Sequence, residues 1–233
     1  MASALDYAGT RDLRVLDVGC GQGIDVARYA NAGARATGID LTPRHVELAR
    51  RHLETLGLSA EIVEGDAESL PFEDASFDRL SSNGVLHHTP DMPAALREIR
   101  RVLVPGGEAR ILVYNRASFY YWITLVLECG ILGRELLREK SMSGVLSSHV
   151  EHSSVGARPL VRVYPPRTVR RLMRDAGFED VTTTVRHYAV TDTSITRLLA
   201  PRITALRDPA VLDRIGRIAG WYVIGRGRRP VTS

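Results

Sequence analysis

The ten residues Arg14-Val-Leu-Asp-Val-Gly-Cys-Gly-Gln-Gly23 constrain the fold more than any other stretch. Val15, Leu16 and Val18 make an apolar run too short for a helix. It stops at glycines, as a buried parallel strand does on entering a tight turn. Gly19, Gly21 and Gly23 free the backbone for positive φ and for close approach by a ligand. Ile24 to Ala32 has helical periodicity, so the turn opens onto the N–H groups of a helix N-terminus. With Asp17 just before the turn, the stretch reads as a strand–loop–helix cradle for a small polar ligand.

Two ligand classes use such a cradle. A dinucleotide loop wants Gly-x-Gly-x-x-Gly, but position 24 is Ile and Asp17 would repel a pyrophosphate. A carboxylate suits a cationic ligand better, such as the ammonium group of an amino acid. The pattern Val-Leu-Asp-Val-Gly-Cys-Gly-x-Gly resembles the first motif of the class I S-adenosylmethionine-dependent methyltransferases. The resemblance implies S-adenosyl-L-methionine as cofactor, lying against Asp17, Gly19, Cys20, Gly21 and Gly23. A nicotinamide oxidoreductase and a non-catalytic cofactor-binding protein are the competing readings.

At 233 residues the chain is long enough for one substantial domain. The net charge of +4 comes almost wholly from arginine, Lys140 being the only lysine. The arginines are scattered, which argues against a nucleic-acid partner. No stretch has the length and apolarity of a membrane span, and two cysteines make no disulfide framework, so a cytoplasmic protein is expected.

Downstream, strands and helices alternate. Ala34 to Ile39 reads as a second strand ending at Asp40, about 20 residues past the loop, where a carboxylate accepts from ribose hydroxyls. Thr42 with Pro43 is expected to cap the next helix, Pro43 to Leu56, leaving Asp40 free, with Leu41 beside it. Ala60 to Glu64 is a third strand. The following Gly-Asp-Ala resembles the family's adenine-binding loop, with Asp66 and Ala67 in the base-binding places. A fourth strand runs into Ser81-Ser-Asn-Gly-Val-Leu-His-His88. By resemblance this is active-site wall, with Asn83 and Val85 beside the cofactor. Pro93 to Val104 is a helix, Pro105-Gly-Gly107 a turn, and Ala109 to Tyr114 a fifth strand. The run Leu-Arg-Glu-Ile-Arg-Arg-Val-Leu-x-Pro-Gly-Gly is another likeness to the family. This alternation predicts an α/β fold with an open, doubly wound parallel sheet. The resemblance extends it to seven strands in a Rossmann-like methyltransferase domain over 1–233, its last strand antiparallel.

After the fifth strand the pattern breaks, and 116–163 is expected to be an insertion or lid. Residues 118–132 are the most apolar and aromatic stretch. Three uses are open to it: a helix packed on the sheet, a lid over an apolar acceptor pocket, and a membrane-surface or subunit contact such as a homodimer. Leu137 to Arg162 is polar, without clear period, and expected to be a mobile substrate loop. Methyl transfer to a small molecule needs a base only where the nucleophile is protonated. The candidates are His87, His88, His149 and His152. His149-Val-Glu-His152 lacks a third ligand at recognisable spacing, so no metal is expected. The Asn/Asp-Pro-Pro-aromatic signature of nucleic-acid amino methylation is replaced by Asn-Gly-Val-Leu. That favours a small-molecule acceptor.

Overall fold

The computed structural model describes residues 5–150 and 159–231. Seven strands form one sheet in the order β3-β2-β1-β4-β5-β7-β6. They are β1 Arg14–Val18, β2 Arg35–Asp40, β3 Glu61–Glu64, β4 Phe77–Asn83, β5 Leu103–Tyr114, β6 Glu179–Arg186 and β7 Tyr222–Arg228. β1 pairs parallel with β2 and β4, β2 with β3, and β4 with β5. The backbone bonds of Gly106 and Gly107 with Arg229, and of Asn115 with Trp221, set β7 antiparallel to β5. Strand order therefore reverses between β1 and β4, and their carboxyl ends flank the crevice where such sheets bind ligands.

Residues Met1–Leu112, Arg170–Thr182 and Gly225–Ser233 make one compact unit, and Val113–Val169 and Thr183–Ile224 a second. In the first unit, α1 (Ile24–Asn31), α2 (Pro43–Thr55) and α3 (Met92–Val102) follow their strands at helical spacing. Val46, Ala49 and Leu53 bury one face of α2; Ala95, Leu96, Ile99 and Val102 bury one face of α3. Asp91 caps α3 by accepting from the Ala94 N–H at 3.0 Å. The described part of the N-terminal segment packs here too. Its 3₁₀ turn Tyr7–Thr10 buries Thr10, and the Tyr7 ring lies tilted against Tyr29 of α1, centroids 4.8 Å apart.

Pro105-Gly-Gly107 does not turn the chain. β5 runs through it with a bulge, the register shifting between Phe77 and Arg79 and Gly106 taking φ +80°. In the second unit, residues 118–132 form a π-helix, Tyr120–Leu132. The stretch expected to be a loop instead holds α4 (Glu135–Glu139) and α5 (Met142–His149). Ser141 supplies the cap for α5, accepting from Gly144 N–H at 3.1 Å; an isolated cap is harder to read than a hydrophobic period. α6 (Pro166–Asp175), α7 (Ser194–Leu199) and α8 (Pro209–Ala219) complete the helices. Tyr121, Leu125, Leu146, Val161 and Trp221 form this unit's core.

One buried ion cluster pins the sheet. Glu108 pairs with Arg110 and Arg226, and the Glu108 and Arg110 side chains are 8% and 10% exposed. Burial pushes the Glu108 carboxyl up, but the two guanidiniums outweigh it and hold it below the usual carboxylate range. Its stabilisation is fully present above the unfolded value of about 4.3 and is lost as pH falls through the lower folded value. Glu108→Gln is therefore expected to cost about 1–3 kcal/mol at pH 7, since Arg110 keeps its 3.3 Å pairing with Asp6. In urea unfolding the gap to wild type should narrow in strong acid, where the native glutamate is itself protonated.

Candidate functional site

The glycine loop takes the conformation its residues require. Gly19, Gly21 and Gly23 have φ of +73°, +52° and +77°. At Gly19 a Cβ would sit 2.3 Å from the Val85 side chain, so the loop and the segment after β4 are in direct contact. At Gly21 a Cβ would meet nothing within 4 Å. The first glycine serves packing, and the second leaves open space beside the backbone.

Three carboxylates stand around this loop. Asp40 is not freed by a Thr42 cap, since the Thr42 side chain makes no capping bond. Its Oδ1 accepts from Thr42 N–H and its Oδ2 from Gly21 N–H, both at 2.9 Å, so it ties the end of β2 to the loop. His45 Nδ1 lies 3.2 Å from the same carboxylate. A carboxylate offers about four lone-pair sites, leaving capacity for a ligand hydroxyl. Asp17 lies beneath the loop, 3% exposed, and accepts from Ser81 Oγ at 2.7 Å. Burial, with the charges of Asp25 and Asp40 adding to it and the Ser81 bond opposing, pushes Asp17 up to about 7.

Asp25 is the residue the sequence reading missed. It accepts from Tyr7 Oη at 2.7 Å, Asn83 Nδ2 at 2.8 Å and an Arg28 nitrogen at 2.9 Å. Its position in the first turn of the helix after the glycines was the available signal. Asn83, at the end of β4, thus joins β4 to α1. The remaining site residues fall around this centre. Leu41, 67% exposed, follows Asp40. Asp66 Oδ1 accepts from Glu68 N–H at 2.9 Å, which shapes the loop carrying Ala67. Cys20 is buried, and burial together with Asp17 and Asp40 pushes its thiol up to about 12.

The histidines divide. His87 is buried and His88 half-buried, with ring centroids 4.1 Å apart. His149 Nε2 lies 2.6 Å from Glu135 in the second unit. His152 lies outside the described residues. No cluster of three metal-ligating side chains occurs among the described residues.

Open space at Gly21, an apolar flank at Leu41 and an acceptor at Asp40 fit a nucleoside at the switch point of a doubly wound sheet. Residues 16–111 match the family model described as a methyltransferase domain. This part of the chain is a class I S-adenosylmethionine-dependent methyltransferase domain, for which S-adenosyl-L-methionine is the cofactor.

The chain is 40% identical to a ubiquinone biosynthesis O-methyltransferase of Methylocella silvestris over 121 residues, 52% of this chain and 47% of that protein. It is 43% identical to a malonyl-[acyl-carrier protein] O-methyltransferase of Erwinia pyrifoliae over 107 residues, 46% of this chain and 39% of that one. The matches thus span less than half the length of both relatives. Among solved structures, a SAM-dependent methyltransferase from Methanosarcina mazei superposes with a TM-score of 0.65 at 19% identity, covering 95% of this chain and 94% of that one. This last likeness bears on the fold.

The position of Asp17 has a measurable consequence. Between about pH 4, its unfolded value, and about 7, the folded protein holds a proton that the unfolded chain gives up. The stability this group contributes is fully present below that window and is lost as pH rises through 7. Asp17→Asn is expected to raise unfolding free energy by on the order of 2–4 kcal/mol at pH 8 and to change it little at pH 4. Equal effects in urea titrations at the two pH values would contradict the assignment.

Proposed function

We propose that this protein transfers the methyl group of S-adenosyl-L-methionine to an oxygen, nitrogen or carbon of a small, hydrophobic molecule by in-line displacement. The observation that carries the reading is the Asp40 carboxylate, bonded to Gly21 N–H beside the open face of the loop. When bound, the cofactor supplies a methyl group on a positively charged sulfur. Asp40 accepts the ribose hydroxyls, Leu41 flanks the base, and Asp66 with the Ala67 N–H reads the edge of the adenine. The positive ammonium group favours the ionised form of Asp17 beneath the loop, and Gly19, Cys20, Gly21, Gly23, Asn83 and Val85 complete the wall. Displacement from a sulfonium releases a neutral leaving group, so the chain's main task is alignment.

For an acceptor carrying a proton, His87 and His88 are the candidate bases in the first unit. A cavity of about 330 Å³ in the second unit is lined by Tyr114, Tyr120, Trp221, Tyr222, Val150 and Asp192, among others. Tyr114 stacks on Trp221 at 4.7 Å, and Tyr120 meets Trp221 edge-on at 4.8 Å. Its size and rings suit a small aromatic acceptor. The two relatives named as O-methyltransferases favour oxygen as the methylated atom. Free thiols at Cys20 and Cys129 accord with a reducing, cytoplasmic setting.

Calorimetry should give micromolar binding of S-adenosyl-L-methionine and none of NAD(P). Asp40→Ala should weaken binding by about 1–3 kcal/mol through lost hydroxyl bonds; unchanged affinity removes the ribose assignment. Incubation with methyl-labelled cofactor and fractionated cell extract should label a small organic-soluble product. Binding without any label transfer would favour a non-catalytic cofactor-binding protein.

A further inference from the structure

The π-helix Tyr120–Leu132 buries Tyr121, Leu125 and Gly130, at spacings of four and five. That is the repeat of a helix closing i→i+5 bonds. The same repeat turns Trp122, Leu127 and Ile131 outward, all exposed. The chain continues through Leu132, 70% exposed, into α4, where Leu137 is 75% exposed. Arg134, Arg138 and Lys140 of the same stretch are exposed as well.

The three acidic residues of this stretch are drawn away from that face. Glu128 accepts a hydrogen bond from Ser194. Glu135 pairs with His149 of α5, and Glu139 lies over Gly144 of the same helix. Leu136 likewise turns inward, onto Gly130. From 116 to 140 every residue classed as exposed is therefore apolar or cationic.

We propose that this face docks on an anionic lipid bilayer. An apolar stretch with exposed aromatic rings, whose other exposed side chains are cationic, is the chemistry of an interfacial helix lying in the plane of a membrane surface. The aliphatic tips enter the acyl boundary while Arg134, Arg138 and Lys140 meet the headgroups. A second copy of the chain fits less well, because a two-fold contact over the patch sets its cations against themselves.

The test is flotation of the full chain with vesicles of pure phosphatidylcholine or of equal parts phosphatidylcholine and phosphatidylglycerol. Binding is expected to the mixed vesicles, to weaken in high salt, and to shift Trp122 fluorescence to the blue; the shift should vanish in Trp122→Phe. Arg134→Gln/Arg138→Gln should lower the partition constant by about fivefold per cation. Leu132→Glu/Leu137→Glu should abolish binding, with circular dichroism reporting the fold. If the acidic variant misfolds, the arginine pair decides the question. Equal binding to both vesicles, or insensitivity to the arginine pair, overturns the proposal. So does an unbound protein that sediments as a dimer and is made monomeric by the arginine or leucine variants.

Discussion

The ligand end of the sheet depends on carboxylates that each accept hydrogen bonds from a neighbouring element. Asp40 joins β2 to the glycine loop through Gly21 N–H. Asp17 joins β1 to β4 through Ser81. Asp25 joins α1 to Asn83 of β4 and to Tyr7 of the N-terminal turn. A strand end and a loop would otherwise have only backbone contacts to fix their spacing. Here the spacing is set by charge-assisted bonds, which are short and directional. The same arrangement crowds negative charge into a small volume, and Asp17, the deepest of the three, bears the consequence in a proton held close to neutrality.

The first hundred residues were legible because two independent signals coincide in them. Short apolar runs ending in glycine or aspartate mark β1 and β2, and helical spacing marks the segments between strands. Asp40 was placed by its distance from the loop, yet its bond to Gly21 was not, because nothing local specifies a contact nineteen residues away. Asp25 was invisible for a related reason: an acidic residue in a first helical turn is common, and its partners Tyr7 and Asn83 come from distant parts of the chain. Pro105-Gly-Gly107 carries strong turn chemistry, and neighbouring strands overrode it with a bulge. After Tyr114 the periods shorten and caps replace apolar stripes. The π-helix in particular has a repeat between those of strand and α-helix that apolarity alone does not disclose.

The two compact units also differ in how they use charge. In the first, acids and arginines meet in pairs, as around Glu108. In the second, Arg217 pairs with Asp213 in the same way, but Glu128 and Glu135 turn to Ser194 and His149, and the cations between 116 and 140 stay on the surface. The sequence carries both signs in this stretch, so its outward electrostatic character emerges only once the fold has decided which side chains turn in.

Cys20 sits in the glycine loop proposed above to hold the cofactor, which is an alkylating reagent. A sulfonium methylates whatever good nucleophile it meets, and a thiolate is among the best that a protein can offer. Burial and the fields of Asp17 and Asp40 keep this sulfur protonated far above neutral pH. On that proposal, the carboxylates that attract the reagent also keep the loop's thiol in its less nucleophilic, protonated form.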